Sequence, residues 1–489
     1  MLKTIITREF LNNILNLRFM IGLVLCVIIT VACIIILSYD YRQQLADYNL
    51  RINVQEEALS KYYTINLSVL RLPQKPPERF RPLIIGIQGK ENFESFDDNP
   101  LPILFPPLDF LFIVTIIMSL LAILFSYDAI AGERQSGTLR LVIANSIPRT
   151  TILLGKFIGG AASLLIPFIL SLLVGTLYIS INPSIQWDGS AWLELFLLTA
   201  ASITFITLFY LLGLMVSAFS KYSAISILNC LFLWVLLILV IPNVCPYISA
   251  QLYRIPSIIE TERKEGEIGA HARRVFRELK NETIKRFRSH YGELFSEFES
   301  INFGGIGGSP NVDPKYREAA QQRAATDPEF KAMMEAYVKE VEKAREELQR
   351  IEDEGGKVRE DLKTKAAFQT KLAKNLACIS PFANFVYVAR DLTGTGLRSL
   401  DYFESTEKEH RKNRHWPYVK KKFQDSQKND PTVTYSSFLD ISDRPRFVFK
   451  EEALKDKLGE VLPYWGILVL FNVVFFVAAF AGFMRYDVR

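Results

Sequence analysis

Six apolar runs, each about as long as a bilayer is thick, constrain this chain more than any other feature: 19–39, 108–127, 157–181, 192–219, 224–241 and 462–484. Inside lipid no water is available to backbone N–H and C=O groups. Each run must therefore satisfy them within itself, as a helix. Between the fifth and sixth runs lies a polar block, 246–460, of roughly 215 residues, which is the size of a domain. A chain that is 49% hydrophobic and 22% charged fits that division. The expected fold class is a mainly α membrane protein: six transmembrane helices plus a large helical extracytoplasmic domain.

Six crossings put both termini on one side. The basic residues of 1–18, of the loop 128–156, of the 220–222 turn and of the tail 485–489 fall on that side. The positive-inside rule makes it the cytoplasm. Residues 40–107 and 246–460 are then extracytoplasmic, and long domains such as the second do not count in that rule.

The loop 128–156 is the most informative stretch. It is polar between two apolar runs and carries Arg134, Arg140, Arg149 and Lys156. Gly137 can break a helix, and Pro148 can open the next after Asn145 or Ser146 as a cap. Leu139, Val142 and Ile143 form a short apolar face at helical spacing. A short amphipathic helix at a membrane surface follows. The pattern Glu133-x-x-x-Gly137-Thr138-Leu139, then Pro148-Arg149, then Gly155-Lys156, resembles the first cytoplasmic loop of ABC-2 type permeases, the membrane subunits of type V ABC exporters. The resemblance covers the six runs and is sharpest in this loop. It implies a coupling helix that docks on an ATP-hydrolysing subunit, with Glu133, Gly137, Thr138 and Leu139 at the contact and Arg149 flanking it. It also implies a bacterial inner-membrane location and separate ABC ATPase subunits that bind the ATP and Mg. A second permease subunit, identical or paralogous, is implied as well.

The remaining stretches follow in chain order. Residues 1–18 place Ile5, Ile6, Phe10, Ile14 and Leu17 at helical spacing, giving a cytoplasmic interfacial helix in contact with lipid. Run 19–39 is too long for a signal peptide and lacks a small-x-small cleavage site after it. In 40–107, Pro73, Pro76, Pro77 and Pro82 argue against one helix, and 83–87 suits a short strand. Pro167 falls inside the third run. Trp187, Trp192 and Trp465 suit the outer aromatic belt. Pro242 and Pro246 are expected to end the fifth span.

In the polar block, glycines at 304–308 break an amphipathic stretch, and Asp313-Pro314 and Asp327-Pro328 read as caps followed by Pro at the first helical position. Phe330, Met334, Tyr337, Val341, Ala344, Leu348 and Ile351 alternate in steps of four and three, a coiled-coil-like period. Gly355-Gly356 is the expected turn of a hairpin whose second helix is 358–376. The apolar stretch 376–397 suits an interfacial or re-entrant helix at the outer mouth, or a core helix of the outer domain. Lys408 to Lys422, with Trp416 and Tyr418, could meet anionic headgroups or an acidic substrate, or be a solvated face.

No Gly-x-x-x-x-Gly-Lys-Ser/Thr loop is present, so the chain carries no ATP-binding loop of its own. His271, His290, His410 and His415 have no ligand spacing, so no metal site is expected. No nucleophile motif is present and no enzymatic activity or cofactor is expected in this chain. A net charge of +5 gives no case for nucleic acid. Cys245 and Cys378 both fall on the outer side, where a disulfide competes with two free thiols. Asp109 and Glu194 stand near outer ends, within reach of water. Asn229 and Asn472 lie deeper, and polar groups at that depth need partners or a function. Asn472 suits interhelical bonding; at Asn229 such bonding competes with a place on a translocation path, which the resemblance implies because the family's fifth span lies beside that path. The function expected is the permease subunit of an ABC exporter. The alternative is an ATP-driven mechanotransmission complex acting through the outer domain on a periplasmic protein.

Overall fold

A computed structural model describes residues 2–62, 74–86, 108–144, 148–183, 185, 187–301, 322–429 and 439–485. The glycines at 304–308, the Asp313-Pro314 pair, the caps at Asn145 and Ser146, and the last four tail residues lie outside them. The described residues are helices and connecting turns, with no strand among them.

Helix α1 is Leu2–Ile14 and α2 is Leu17–Tyr62. The second span, α3, comprises Phe110–Phe112, a π turn Ile113–Met118 and Ser119–Ser126. Two short helices follow, α4 Ala131–Gln135 and α5 Thr138–Ala144, then α6 Arg149–Ile181 and α7 Gly189–Phe219. Span five, α8, is Ser223–Leu252. The polar block contributes α9 Ile258–Tyr291, α10 Glu293–Ile301, α11 Pro328–Ala377, α12 Pro381–Leu392, α13 Leu397–His410 and α14 Trp416–Asn429, with a π turn Arg411–His415 between the last two. The sixth long apolar helix, α15, is Leu454–Met484. Six helices are long and apolar enough to cross a membrane: α2, α6, α7, α8, α15 and the one that contains α3.

Local chemistry sets many of these ends. Asp188 caps α7 by accepting from the Ala191 amide at 2.9 Å. Asp327 caps α11 through the amides of Glu329 and Phe330, with Pro328 at the first helical position. Gly292, at φ +51°, separates α9 from α10.

Three expectations about secondary structure fail. Gly355-Gly356 is no turn, because α11 runs through it without a break. Two glycines cost a helix roughly 2 kcal/mol, and the apolar stripe that α11 buries against α9 outweighs that. The hairpin is α9 against α11, antiparallel, with Arg286 on Glu340 at 2.6 Å near one end and Arg359 on Glu265 towards the other. Its core is the aromatic cluster Phe287, Phe295, Phe298, Phe330 and Tyr337. Pro242 and Pro246 do not end α8 either. A π turn, Leu236–Val240, directly precedes Pro242, and this local widening of the helix lets the chain continue past a residue that has no N–H to give. The described part of 83–87 is not a strand. Residues 79–84 form turns whose Phe80, Leu83 and Ile84 are buried in the bundle core.

Helix α12 enters the bundle. Phe385 stacks on Phe205 of α7 with centroids 4.7 Å apart, and Ser380 Oγ donates to the Leu237 carbonyl of α8 at 2.5 Å. Phe205 lies ten residues past Leu195, about 15 Å along α7. So α12 fills the mouth between α7, α8 and α15 at the end of the bundle away from the loop 128–156. The outer ends are also joined by charge. Glu194 is 1% exposed, not open to water, and bonds Lys457 at 2.8 Å and Arg79 at 3.1 Å. Asp109 is likewise buried and caps α3 through the Phe112 amide at 2.9 Å. Burial without such partners would be prohibitive, so distant segments supply them.

Candidate functional site

The inner loop is held by groups from every span around it. At its start, the Ser217 hydroxyl of α7 accepts from the amides of Ile130 and Ala131 at 3.0 and 2.9 Å, satisfying donors that the first turn of α4 leaves open. Arg134 donates to the carbonyls of Ser220 and Ala218 at 2.9 and 3.0 Å, where α7 ends. Arg149 does the same for α15, at Phe483 and Met484. A cation at a helix C-terminus meets unpaired carbonyls and the negative end of the dipole. Gln135 accepts from the Ser223 amide at the start of α8, and Arg18 pairs with Asp128 at 2.8 Å.

Gly137 takes φ +76°, the left-handed turn that separates α4 from α5. The turn aims α5 so that Leu139, fully buried, packs among Ile130, Ile152, Leu153, Leu211, Leu214 and Phe483, with Val142 and Ile143 beside it. The opposite side of the loop is open: Ser136, Gly137, Thr138 and Arg140 are exposed, and Leu141 is 70% exposed.

The five expected coupling residues therefore divide. Gly137 and Thr138 are on the open side. Leu139 faces the core, Arg149 caps α15, and Glu133 turns inward to Lys156 of α6 at 2.8 Å. Lys156 is 3% exposed and also binds Glu9 of α1 at 2.9 Å. One ammonium thus ties the interfacial helix and the inner loop to one span. Helix α1 can lie that close because Gly155 and Gly159 face it. A Cβ at Gly155 would meet Ile5, and one at Gly159 would stand 2.8 Å from the Ile6 carbonyl. The pattern Gly155-Lys156 by itself assigns the lysine no role; Glu9, the one acid in α1, is the signal in the sequence that could have supplied it.

Asn229 is exposed on the outer surface of α8, away from the chain's own core. Asn472 donates to the Thr204 and Leu468 carbonyls and accepts from Thr207, so it joins α15 to α7. Cys245 and Cys378 are free thiols. No cluster of residues suited to hold a metal occurs among the described residues.

Comparison with known proteins gives two findings. The family model described as ABC-2 family transporter protein matches residues 3–488. The chain is also similar to the probable ABC transporter permease protein NosY of Stutzerimonas stutzeri, 49% identical over 47 residues, and to its counterpart in Pseudomonas aeruginosa, 47% identical over 47 residues. Those matches cover 10% of this chain and 17% of each relative's length.

Proposed function

This chain belongs to the ABC-2 family of transporter proteins, and from that premise we propose that it is the membrane-spanning permease subunit of a bacterial ABC exporter, driven by separate ATPase subunits. The observation that carries the reading is the two-sided inner loop. Its exposed edge, Ser136 to Thr138 with Arg140 and Leu141, stands open on the surface. Its other edge is bolted to the spans through Leu139, Glu133, Arg134 and Arg149.

A push on the exposed edge has a defined route. Leu139 bears on α6, α7 and α15 through one apolar cluster. Glu133 carries the same displacement to Lys156. Close-packed contacts of this kind transmit a shift because they cannot absorb it. In this reading Gly137, Thr138 and Leu141 touch the ATPase, and Glu133, Leu139 and Arg149 transmit. ATP and Mg belong to the ATPase. The loop side is cytoplasmic, as its arginines and Lys156 favour, in the inner membrane. A second permease, identical or paralogous, completes the complex. Asn229, exposed on α8, would face that copy and the path between them.

The test is purification of the tagged protein from native membranes in mild detergent. An ABC ATPase at about one copy per permease is expected. Thr138→Asp with Leu141→Asp should release it while the permease keeps its helical content and monodisperse elution. A native complex without an ATPase, even after cross-linking through Thr138→Cys, overturns the assignment.

A further inference from the structure

The outer domain presents a cationic ridge along the π turn 411–415 and α14. Lys412, Arg414, Lys420 and Lys421 are exposed, and none makes an ion pair with another described residue. Lys412, Trp416 and Lys420 recur in steps of four, so they stand in one line on the helix surface. Trp416 is 36% exposed between the two lysines. The adjoining face, at steps of three and seven from Trp416, is committed: Val419 and Phe423 are buried against Leu439 and Ile441. Of the acids nearby, Glu407 binds Arg411, Asp443 binds Lys422 at 2.7 Å and Asp425 faces Lys428, while exposed Glu409 and Asp440 make no ion pair with another described residue.

We propose that this ridge is a binding surface for an acidic carbohydrate polymer. From Lys412 to Lys420 the cations extend over about 12 Å along the helix. They line an open surface and do not enclose a pocket, which suits a linear polyanion and not a small anion. A flat aromatic ring between cations adds a stacking platform for a sugar face, because an indole combines a broad apolar surface with a polar edge. The headgroups of the protein's own membrane are too far away. Helix α2 continues without a break for 17 residues from Tyr39, the end of its apolar run, to Glu56, about 25 Å along its axis. Glu56 there binds Arg444 at 2.5 Å, next to the Asp443 that holds Lys422. Less the roughly 5–8 Å of the headgroup layer, that height is about two Debye lengths at physiological salt, so the membrane's charge is largely screened. An acidic protein face would use the cations but would not need Trp416. The inference depends on the proposed function only for the compartment in which the polymer is met. Binding by the purified protein tests the surface by itself.

The experiment uses the full chain in nanodiscs of zwitterionic lipid, with dextran sulfate, neutral dextran and poly-L-glutamate as probes. Dextran sulfate is expected to bind, more weakly as salt rises, and neutral dextran is not. Combined Lys412→Glu, Arg414→Glu, Lys420→Glu and Lys421→Glu should weaken dextran sulfate binding at least tenfold. Trp416→Ala should weaken it severalfold without changing poly-L-glutamate binding. Arg273→Glu, Arg274→Glu and Arg277→Glu, a set of exposed cations on α9, should leave it unchanged. Loss of binding in that α9 set equal to the loss in the ridge set makes the attraction generic, and the proposal falls. It falls equally if poly-L-glutamate binds as tightly as dextran sulfate and Trp416→Ala changes neither. That outcome points to an acidic protein instead.

Discussion

Lys156 is a single buried ammonium between two part-buried carboxylates from different helices. Removing the cation strands both acids. Lys156→Met should therefore lower stability by about 3–5 kcal/mol, the usual cost of leaving a buried charge unpaired. Thermal unfolding in detergent measures it, and adding Glu9→Gln and Glu133→Gln should recover most of the loss. If Lys156→Met alone melts like the native protein, the ammonium is not the joint described. A second residue-scale test is steric. A Cβ at Gly160 would collide with the Tyr210 hydroxyl and ring, and Tyr210 is buried with its hydroxyl donating to the Lys156 carbonyl at 3.1 Å. Gly160→Ala should destabilise by about 1–3 kcal/mol, and Tyr210→Leu in the same chain should relieve part of it. At this scale the sequence was only half legible. It shows that Glu194 and Asp109 are charged and near helix ends. It does not show that Lys457 and Arg79, far along the chain, arrive to pair with Glu194.

Among the helices, glycine carries opposite meanings at two places. At Gly137 the backbone is left-handed, and the space beyond its Cα is empty. Gly137→Ala should cost about 1–2 kcal/mol through the backbone alone, and in the proposed function it should uncouple ATP hydrolysis without ejecting the protein from the membrane. At Gly355 and Gly356 the backbone is helical, and an added Cβ meets only ordinary contact or open space. Alanine at each should stabilise α11 by up to about 1 kcal/mol. A drop in melting temperature or helicity would instead indicate the turn that the glycine pair suggests by sequence. Both glycines look like breaks to a propensity argument. Only the partner helix α9 decides that the second pair continues.

Across the whole molecule, the two ends of the helix bundle are held by different physics. The end that carries the loop 128–156 is joined through Lys156 and the apolar cluster around Leu139. The other end is joined through the Glu194 network and through α13 and α14, which reach the extension of α2 by way of Arg444 and Glu56. That junction is expected to respond to pH. Burial pushes the His415 imidazole below its ordinary value, and Arg444, His410 and Arg411 push it further, with Glu407 opposing. His410 is lowered in the same way, by burial and Arg414 against Glu407. Both groups are more readily protonated in the unfolded chain. Their stabilising effect is full above the ordinary histidine value, 6.5, and is lost as pH falls through the lowered folded values. Limited proteolysis or amide exchange across 397–429 should show faster opening at pH 5.5 than at pH 7.5, and His415→Gln should flatten the difference. Identical opening at both pH values would refute it.

The sequence by itself determined the fold class. A run of some twenty apolar residues has no other stable form in lipid, and the caps at Asp188 and Asp327 are written locally. It also marked the inner loop, because a polar segment with a glycine break between two spans is visible without a partner. Tertiary structure alone decided which face of that loop is open, that Glu133 and Leu139 turn inward, and that α12 enters the bundle. Those outcomes depend on groups brought together from distant parts of the chain. Such pairings cost entropy that only the assembled fold repays, so no local pattern records them.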